Sequence, residues 1–203
     1  MEVITEYKQT QYGLLAADWK LVPLWKFSSF ITKGSTPTTY GYDWQPDGVR
    51  FLRSECVAEH GLDLKESMFI SEEAHSMLDR SEVRSGDLLM TITGNVGRAI
   101  LLDEDFGTGN INQHIARVRI TDSRLDKRFA LHFLSQRRVR EYYESITTGQ
   151  AYPQISLKQV RETEIPIPPL PEQHAIADAL SDVDALIERL GALIAKKRAI
   201  KTA

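Results

Sequence analysis

Along most of the chain, hydrophobic and polar positions change over short distances. Only the last segment keeps a helical period for long. Residues 1–18 read as a loose arm. The run "DWKLVPLWKFSSFITKGSTPTTYG" reads as a short strand, a turn and a second strand ending near Lys33, stopped by Gly34 and Pro37. "TPTTYGYDWQPDG" is a long polar loop with aromatics embedded, and "VRFLRSECV" reads as a strand. "SEEAHSMLDRS" predicts a short helix: Ser71 can cap it, and Glu72 and Glu73 suit its positive end. "SGDLLMTITGNVGRAILLD" predicts a hairpin reversing at Gly94-Asn95, with Gly97 marking a bulge or a close backbone approach. "GTGNINQHIARVRI" reads as a polar loop feeding a further strand. One broken helix or two short ones follow in "DKRFALHFLSQRRVREYYESITTG". "SLKQV" predicts one helical turn, with Ser156 and Gln159 at capping-box spacing.

The final segment differs in kind. Ile176, Leu180, Val183, Ile187, Leu190 and Ile194 recur at spacings of 4, 3, 4, 3 and 4, the alternation of a heptad seam. Ala179, Leu186 and Leu193 widen the stripe. A helix from Pro171 to about Lys201 would run roughly 46 Å at 1.5 Å per residue. A strict seam opposite a polar face predicts a protruding coiled-coil arm paired with a helix of another molecule. Before it, Pro166, Pro168 and Pro169 hold the backbone extended, and Pro171 falls in the first helical turn, where its missing N–H costs nothing. The join is a stiff elbow between a globular unit and a rod.

Composition narrows the class. The chain has 203 residues, 42% of them hydrophobic, enough for a packed core. No apolar run approaches the roughly 20 residues of a membrane span, and the first residues carry no signal-peptide pattern. The single Cys56 excludes an internal disulfide and any multi-cysteine zinc site, so a reducing, cytoplasmic setting is expected. Net charge is -3, unevenly spread: residues 1–109 carry -7, residues 110–161 carry +6 and residues 162–203 carry -2. A basic island can bind phosphates whatever the total, although on charge alone a solvated helix face is the favoured reading. The five histidines show no ligand spacing, so no metal site is expected.

The stretch "GQAYPQISLKQVRETEIPIPPLPEQHAIADALSDVDALIERL" resembles the end of a target-recognition domain and the start of its following helix in the specificity (S) subunits of type I restriction-modification systems. "DWKLVPLWKFSSFITKGSTP", "SGDLLMTITGNVGRAIL" and "NINQHIARVRI" are similar to other pieces of the same domains, and together the resemblance covers about residues 18–200. It implies an α+β fold. A mixed-sheet target-recognition domain with its arm would occupy residues 1–169, and a long coiled-coil helix residues 170–203. It implies a non-catalytic subunit that reads one half of a split site in double-stranded DNA. The helix would set the spacing and dock methyltransferase subunits, with a restriction subunit in the full complex. S-adenosylmethionine would sit only on the methyltransferase partners. One domain and one helix make half the usual subunit, so pairing with a second copy, or with the other half, is expected.

Base reading needs side chains with paired donors and acceptors, while Lys, Ser and Thr suit phosphates. The candidates are Lys33, Ser35, Thr36, Thr38 and Tyr40 in the first long loop and Asn95 and Arg98 at the hairpin turn. Asn110, Asn112, Gln113 and His114 before the basic strand join them, with Gln150, Tyr152 and Gln154 before the elbow. Arg137, Arg138 and Arg140 are candidates for phosphates. Tyr12, Trp19, Trp25, Phe27, Phe129 and Phe133 read as core or docking residues. Two alternatives stand beside this. Asp47, Asp63 and Lys65 match a short P-D…D-x-K pattern of magnesium nucleases, which needs both acids on adjacent core strands. A coiled-coil assembly module with no DNA role is the other.

Overall fold

A computed structural model describes residues 6–149 and 152–202. A hairpin opens it, β1 (Tyr7–Thr10) against β2 (Gly13–Ala16). This corrects the loose arm: Tyr12, at the hairpin tip, is buried edge-on against Phe133 and Tyr142 at centroid distances of 5.2 and 5.3 Å. Burial pushes its hydroxyl pKa up to about 12.

Next come β3 (Lys20–Pro23) and β4 (Ser28–Lys33), then β5 (Val49–Leu52) and the two-residue strands β6 (Val57–Ala58) and β7 (Gly61–Leu62). They are followed by β8 (Met68–Ile70) and α1 (Glu72–Met77), whose first turn is capped by Ser71 Oγ accepting the Ala74 N–H at 3.1 Å. β9 (Glu82–Arg84), β10 (Leu88–Thr91), β11 (Ala99–Leu101), β12 (Thr108–Ile111) and β13 (Ile115–Ile120) complete two four-stranded sheets. One sheet runs β11-β10-β13-β4, antiparallel throughout. The other runs β8-β5-β12-β9, with β5 and β12 parallel.

Period-two alternation sorts the core. Leu88 and Met90 of β10, with Ala116, Val118 and Ile120 of β13, face the helices. Leu89 and Ile115 face the second sheet and join Leu52, Val57, Val83 and Ile111. A third small core under α1 holds Val49, Phe51, Ile70, Ala74 and Leu78. The helices are α2 (Lys127–Leu134), α3 (Arg137–Ile146) and α4 (Leu157–Glu162), the last with the expected capping box between Ser156 and Gln159. Gly97 makes the expected close approach: at φ 84° an added Cβ would lie 2.9 Å from the Tyr143 ring.

The proline segment is not a free connector. Glu164–Ile167 forms β14, antiparallel to β3, with Pro166 opposite Leu21 and buried. The missing N–H of Pro166 is tolerated in a pair of this kind. α5 (Leu170–Thr202) then runs 33 residues, about 50 Å. Its first turns lie on α2: Ala177 is buried in the main core, Ile176 packs against it, and Arg128 pairs with Asp178 at 2.8 Å. Ile176 therefore belongs to the domain and not to a free seam. Beyond it the stripe is open, with Leu180, Val183, Ile187, Leu190 and Ile194 between 41 and 59% exposed.

Candidate nucleic-acid interface

Backbone hydrogen bonds join the polar segments singled out above into one edge. The Gly34 N–H donates to the Asn112 carbonyl at 3.2 Å, tying the end of β4 to the β12–β13 turn. The Ile92 N–H donates to the His114 carbonyl at 2.9 Å, tying that turn to the β10–β11 hairpin. The Gly94 N–H donates to Pro153 and the Ile155 N–H to Ile92, at 2.9 and 3.0 Å, bringing in the segment before α4. Thr148 and Gln154 exchange both of their backbone bonds at 3.0 Å and close the end of the row.

Side chains continue these links. Thr36 Oγ1 donates to Gln113 Oε1 at 2.5 Å, and Gln113 Nε2 lies 3.1 Å from His114 Nε2. Thr91 Oγ1 accepts the Arg98 N–H at 3.1 Å and donates to the Asn95 carbonyl, holding the hairpin turn closed. Lys33, Thr38, Tyr40, Asn95, Tyr152 and Gln154 are exposed along this row. Ser35, Thr36, Arg98, Gln113 and His114 are half-buried in it. Gln150 lies outside the described residues.

Other candidates move away from the edge. Asn110 is fully buried: its amide nitrogen donates to Leu78 and Ser81, and its Oδ1 lies 2.6 Å from His75 Nδ1. It anchors α1 to the second sheet. Asn112 is 8% exposed and its Oδ1 takes the His114 N–H at 3.1 Å, so it shapes the turn. Arg138 packs on the hairpin tip, its guanidinium 2.6 Å from where a Gly13 Cβ would be, and Arg137 pairs with Glu141 at 2.7 Å.

Arg140 is the arginine of α3 that reaches the edge. With Asn95, Val96, Arg98, Glu144 and Thr147 it lines a cleft of about 430 Å³. There its Nη1 holds Glu59 at 3.0 Å, and that bond keeps the Glu59 carboxyl below its ordinary range.

The basic island is partly turned inward and largely paired. Arg119 is bidentate to the buried Asp87 at 2.7 and 2.7 Å, and the buried Arg117 donates to the Glu82 carbonyl. Arg124 grips Asp122, and Arg161 donates to the Ile31 carbonyl at 2.8 Å. Run-length charge overstated the positive surface because strand alternation turned two arginines inward and ion pairs absorbed others.

The nuclease pattern does not assemble. Asp47 lies at a loop tip before Gly48, and Asp63 caps a 3-10 turn by accepting the Lys65 N–H at 3.0 Å, so neither acid sits on a core strand. Among the described residues no group of three or more His, Cys, Asp or Glu could hold a metal ion, and no helix is long and apolar enough to cross a membrane.

A polar edge built from four loops, with a long helix leaving the domain, agrees with what comparison with known proteins finds. Residues 18–196 match the family described as type I restriction modification DNA specificity domain. The chain belongs to this family. It is 26% identical over 183 residues to a putative type I restriction enzyme MjaX specificity subunit of Methanocaldococcus jannaschii, covering 90% of this chain and 40% of that protein. It is 26% identical over 181 residues to the type I restriction enzyme EcoBI specificity subunit of Escherichia coli, covering 87% and 37%. The crystal structure of an HsdS subunit from Thermoanaerobacter tengcongensis superposes with a TM-score of 0.62 at 19% identity, covering 87% of this chain and 40% of that one. At that identity the likeness carries the fold. The chain spans about 40% of the length of these relatives.

The family signature was legible in the elbow. Of the three arginines proposed for phosphates, Arg140 is the one that α3 brings to the cleft, whereas Gln173, a polar residue in a first helical turn, carries no signal in the sequence that separates it from a solvated side chain.

Proposed function

We propose that this chain is a half-length specificity subunit that reads one half of a bipartite sequence in double-stranded DNA. The observation that carries the reading is the continuous polar edge from Lys33 through Gln113 and Asn95 to Gln154, held rigid from below by strand-to-loop backbone bonds. Loops on a stiff scaffold suit base contacts, with Asn95, Gln113 and Gln154 offering both donors and acceptors. Lys33, Ser35, Thr36, Thr38, Arg98 and Arg140 suit phosphates, and Tyr40 and Tyr152 lie beside them.

Residues 1–169 act as the reader and residues 170–203, which contain α5, as the spacer. The open stripe from Leu180 to Ile194 pairs with a second copy of this chain or with the other half of a full subunit. Two copies present identical readers about a two-fold axis, so the site is an inverted repeat with a fixed gap. The subunit itself is non-catalytic, works in the cytoplasm, and docks methyltransferase subunits and, in the full complex, a restriction subunit.

The test is DNA binding by the chain assembled with its methyltransferase subunits, across salt concentrations. Sequence preference is expected, and Arg98→Ala or Arg140→Ala should flatten the log–log salt slope by about 1 for each phosphate no longer neutralised. An assembled complex with no sequence preference would remove the reading. A complex indifferent to Lys33, Arg98 and Arg140 substitution would favour an assembly module alone.

A further inference from the structure

The join between reader and helix is fastened by one amide. Gln173, in the first turn of α5, is 0% exposed, and both ends of its side chain are engaged. Its Oε1 accepts the Asp126 N–H at 2.9 Å, and its Nε2 donates to the carbonyls of Arg124 and Pro168, both at 2.9 Å. The three backbone groups belong to the turn after β13, the start of α2 and the end of the proline segment. Asp126 in turn caps α2 by accepting the Phe129 N–H at 2.8 Å. Three elements therefore meet on a single side chain.

Glutamine offers an acceptor and two donors at this length, whereas glutamate offers acceptors only and methionine neither. The packing continues along α2 through the buried Ala177, the Arg128–Asp178 pair and the His132 Nε2 to Ser181 Oγ approach of 3.0 Å. Past Asp184 the large apolar side chains of α5 are exposed, so the direction of the remainder is set at this base. Residues 185–202 extend about 27 Å, and a tilt of about 10° at the base would move the tip by about 5 Å, more than the roughly 3.4 Å rise of one base pair.

We infer that Gln173 is a positioning residue that fixes the angle of α5 on the reader and, through it, the gap between half-sites that the paired assembly accepts. The second half of this inference rests on the two-reader function proposed above.

Two measurements test it. Spin labels at Glu72→Cys and Arg189→Cys, in labelled chain diluted with unlabelled chain, report the angle without any DNA. Cys56 is fully buried and stays unlabelled. The parent chain should give one narrow distance distribution. Gln173→Met, which removes all three bonds, and Gln173→Glu, which keeps the size and loses both donors, should each widen it at least about twofold. An unchanged width in a variant with native near-ultraviolet circular dichroism overturns the inference.

The second measurement is methylation, by the assembly with its methyltransferase, of a DNA library with varied gaps. Gln173→Met should lower discrimination between the preferred gap and its neighbours about tenfold, with the bases chosen unchanged. An equal loss at every gap, with no change in the distance distribution, would mean that Gln173 is merely structural. If the parent assembly shows no gap preference, the two-reader function fails, and the distance measurement still decides whether Gln173 sets the angle.

Discussion

Gly34 is the position where a single methyl group should do the most damage to the polar edge. It ends β4 and begins the first loop. Its φ lies outside the left-handed region, so the constraint is space alone. An ideal Cβ there would lie 1.7 Å from the Ile111 carbonyl oxygen, 2.4 Å from its carbon and 2.6 Å from the Asn112 oxygen, all backbone atoms. Ordinary contact begins near 3.4 Å, so Gly34→Ala must push two strand ends apart by roughly 1.7 Å. That separation breaks the 3.2 Å bond from Gly34 to Asn112. Overpacking of about 1–3 kcal/mol and about 1 kcal/mol for the hydrogen bond sum to about 3 kcal/mol.

For a chain of this size the melting temperature should fall by about 6–12 °C, read by calorimetry or near-ultraviolet circular dichroism. Gly41 in the same loop is the control. Its φ is 84° and nothing lies within 4 Å of its Cβ, so Gly41→Ala meets backbone strain alone, about 1–2 kcal/mol. A Gly34→Ala variant that melts within about 2 °C of the parent, or no lower than Gly41→Ala, would refute the packing account of this edge.

Other substitutions separate the remaining layers. Tyr143→Phe deletes the buried 2.7 Å bond to Thr163 and should cost about 1–2 kcal/mol, seen as a lower denaturant midpoint with unchanged slope. Ile187→Glu should abolish pairing through α5, lowering the mass in solution, while the domain melts within about 1 °C of the parent because the side chain is 59% exposed. Gly191→Ala, whose Cβ meets nothing within 4 Å, should raise helicity in the outer part of α5, by about 1 kcal/mol. Asp122 is held down to about 2 by its hydrogen bond to the Arg124 guanidinium. Its contribution is present above the ordinary carboxylate value near 3.9 and is lost as pH falls toward 2, so carboxylate NMR should find it still ionised at pH 3.

Local chemistry explains what could be read early. The Ser71 cap, the Ser156–Gln159 capping box, the Gly94-Asn95 reversal and the break between α2 and α3 each depend on a few neighbouring residues. The misreadings needed partners far along the chain. Tyr7–Ala16 looks like an arm because "YKQT" and "GLLA" are short and half polar; the hairpin holds because Tyr12 reaches Phe133 and Tyr142.

"TGNI" reads as a loop because Gly and Asn disfavour strands. It pairs in parallel with β5 because Gly109 has no side chain: a Cβ there would lie 2.7 Å from the Arg50 carbonyl oxygen. The same limit hid the role of Gln173 and the inward turn of Arg117 and Arg119. The pairs Arg119–Asp87, Arg128–Asp178 and Arg140–Glu59 join residues far apart in the chain and are decided by tertiary packing. For the polar edge, the loops were legible as separate polar runs, and only the backbone bonds between them show one surface.

The central claim is tested most directly by sequencing the sites methylated on a random DNA library when this chain is the only specificity subunit supplied to its methyltransferase. The account predicts one inverted repeat of two identical half-sites at a single fixed gap. Methylation with no shared motif, or at a lone half-site without its inverted partner, would contradict it.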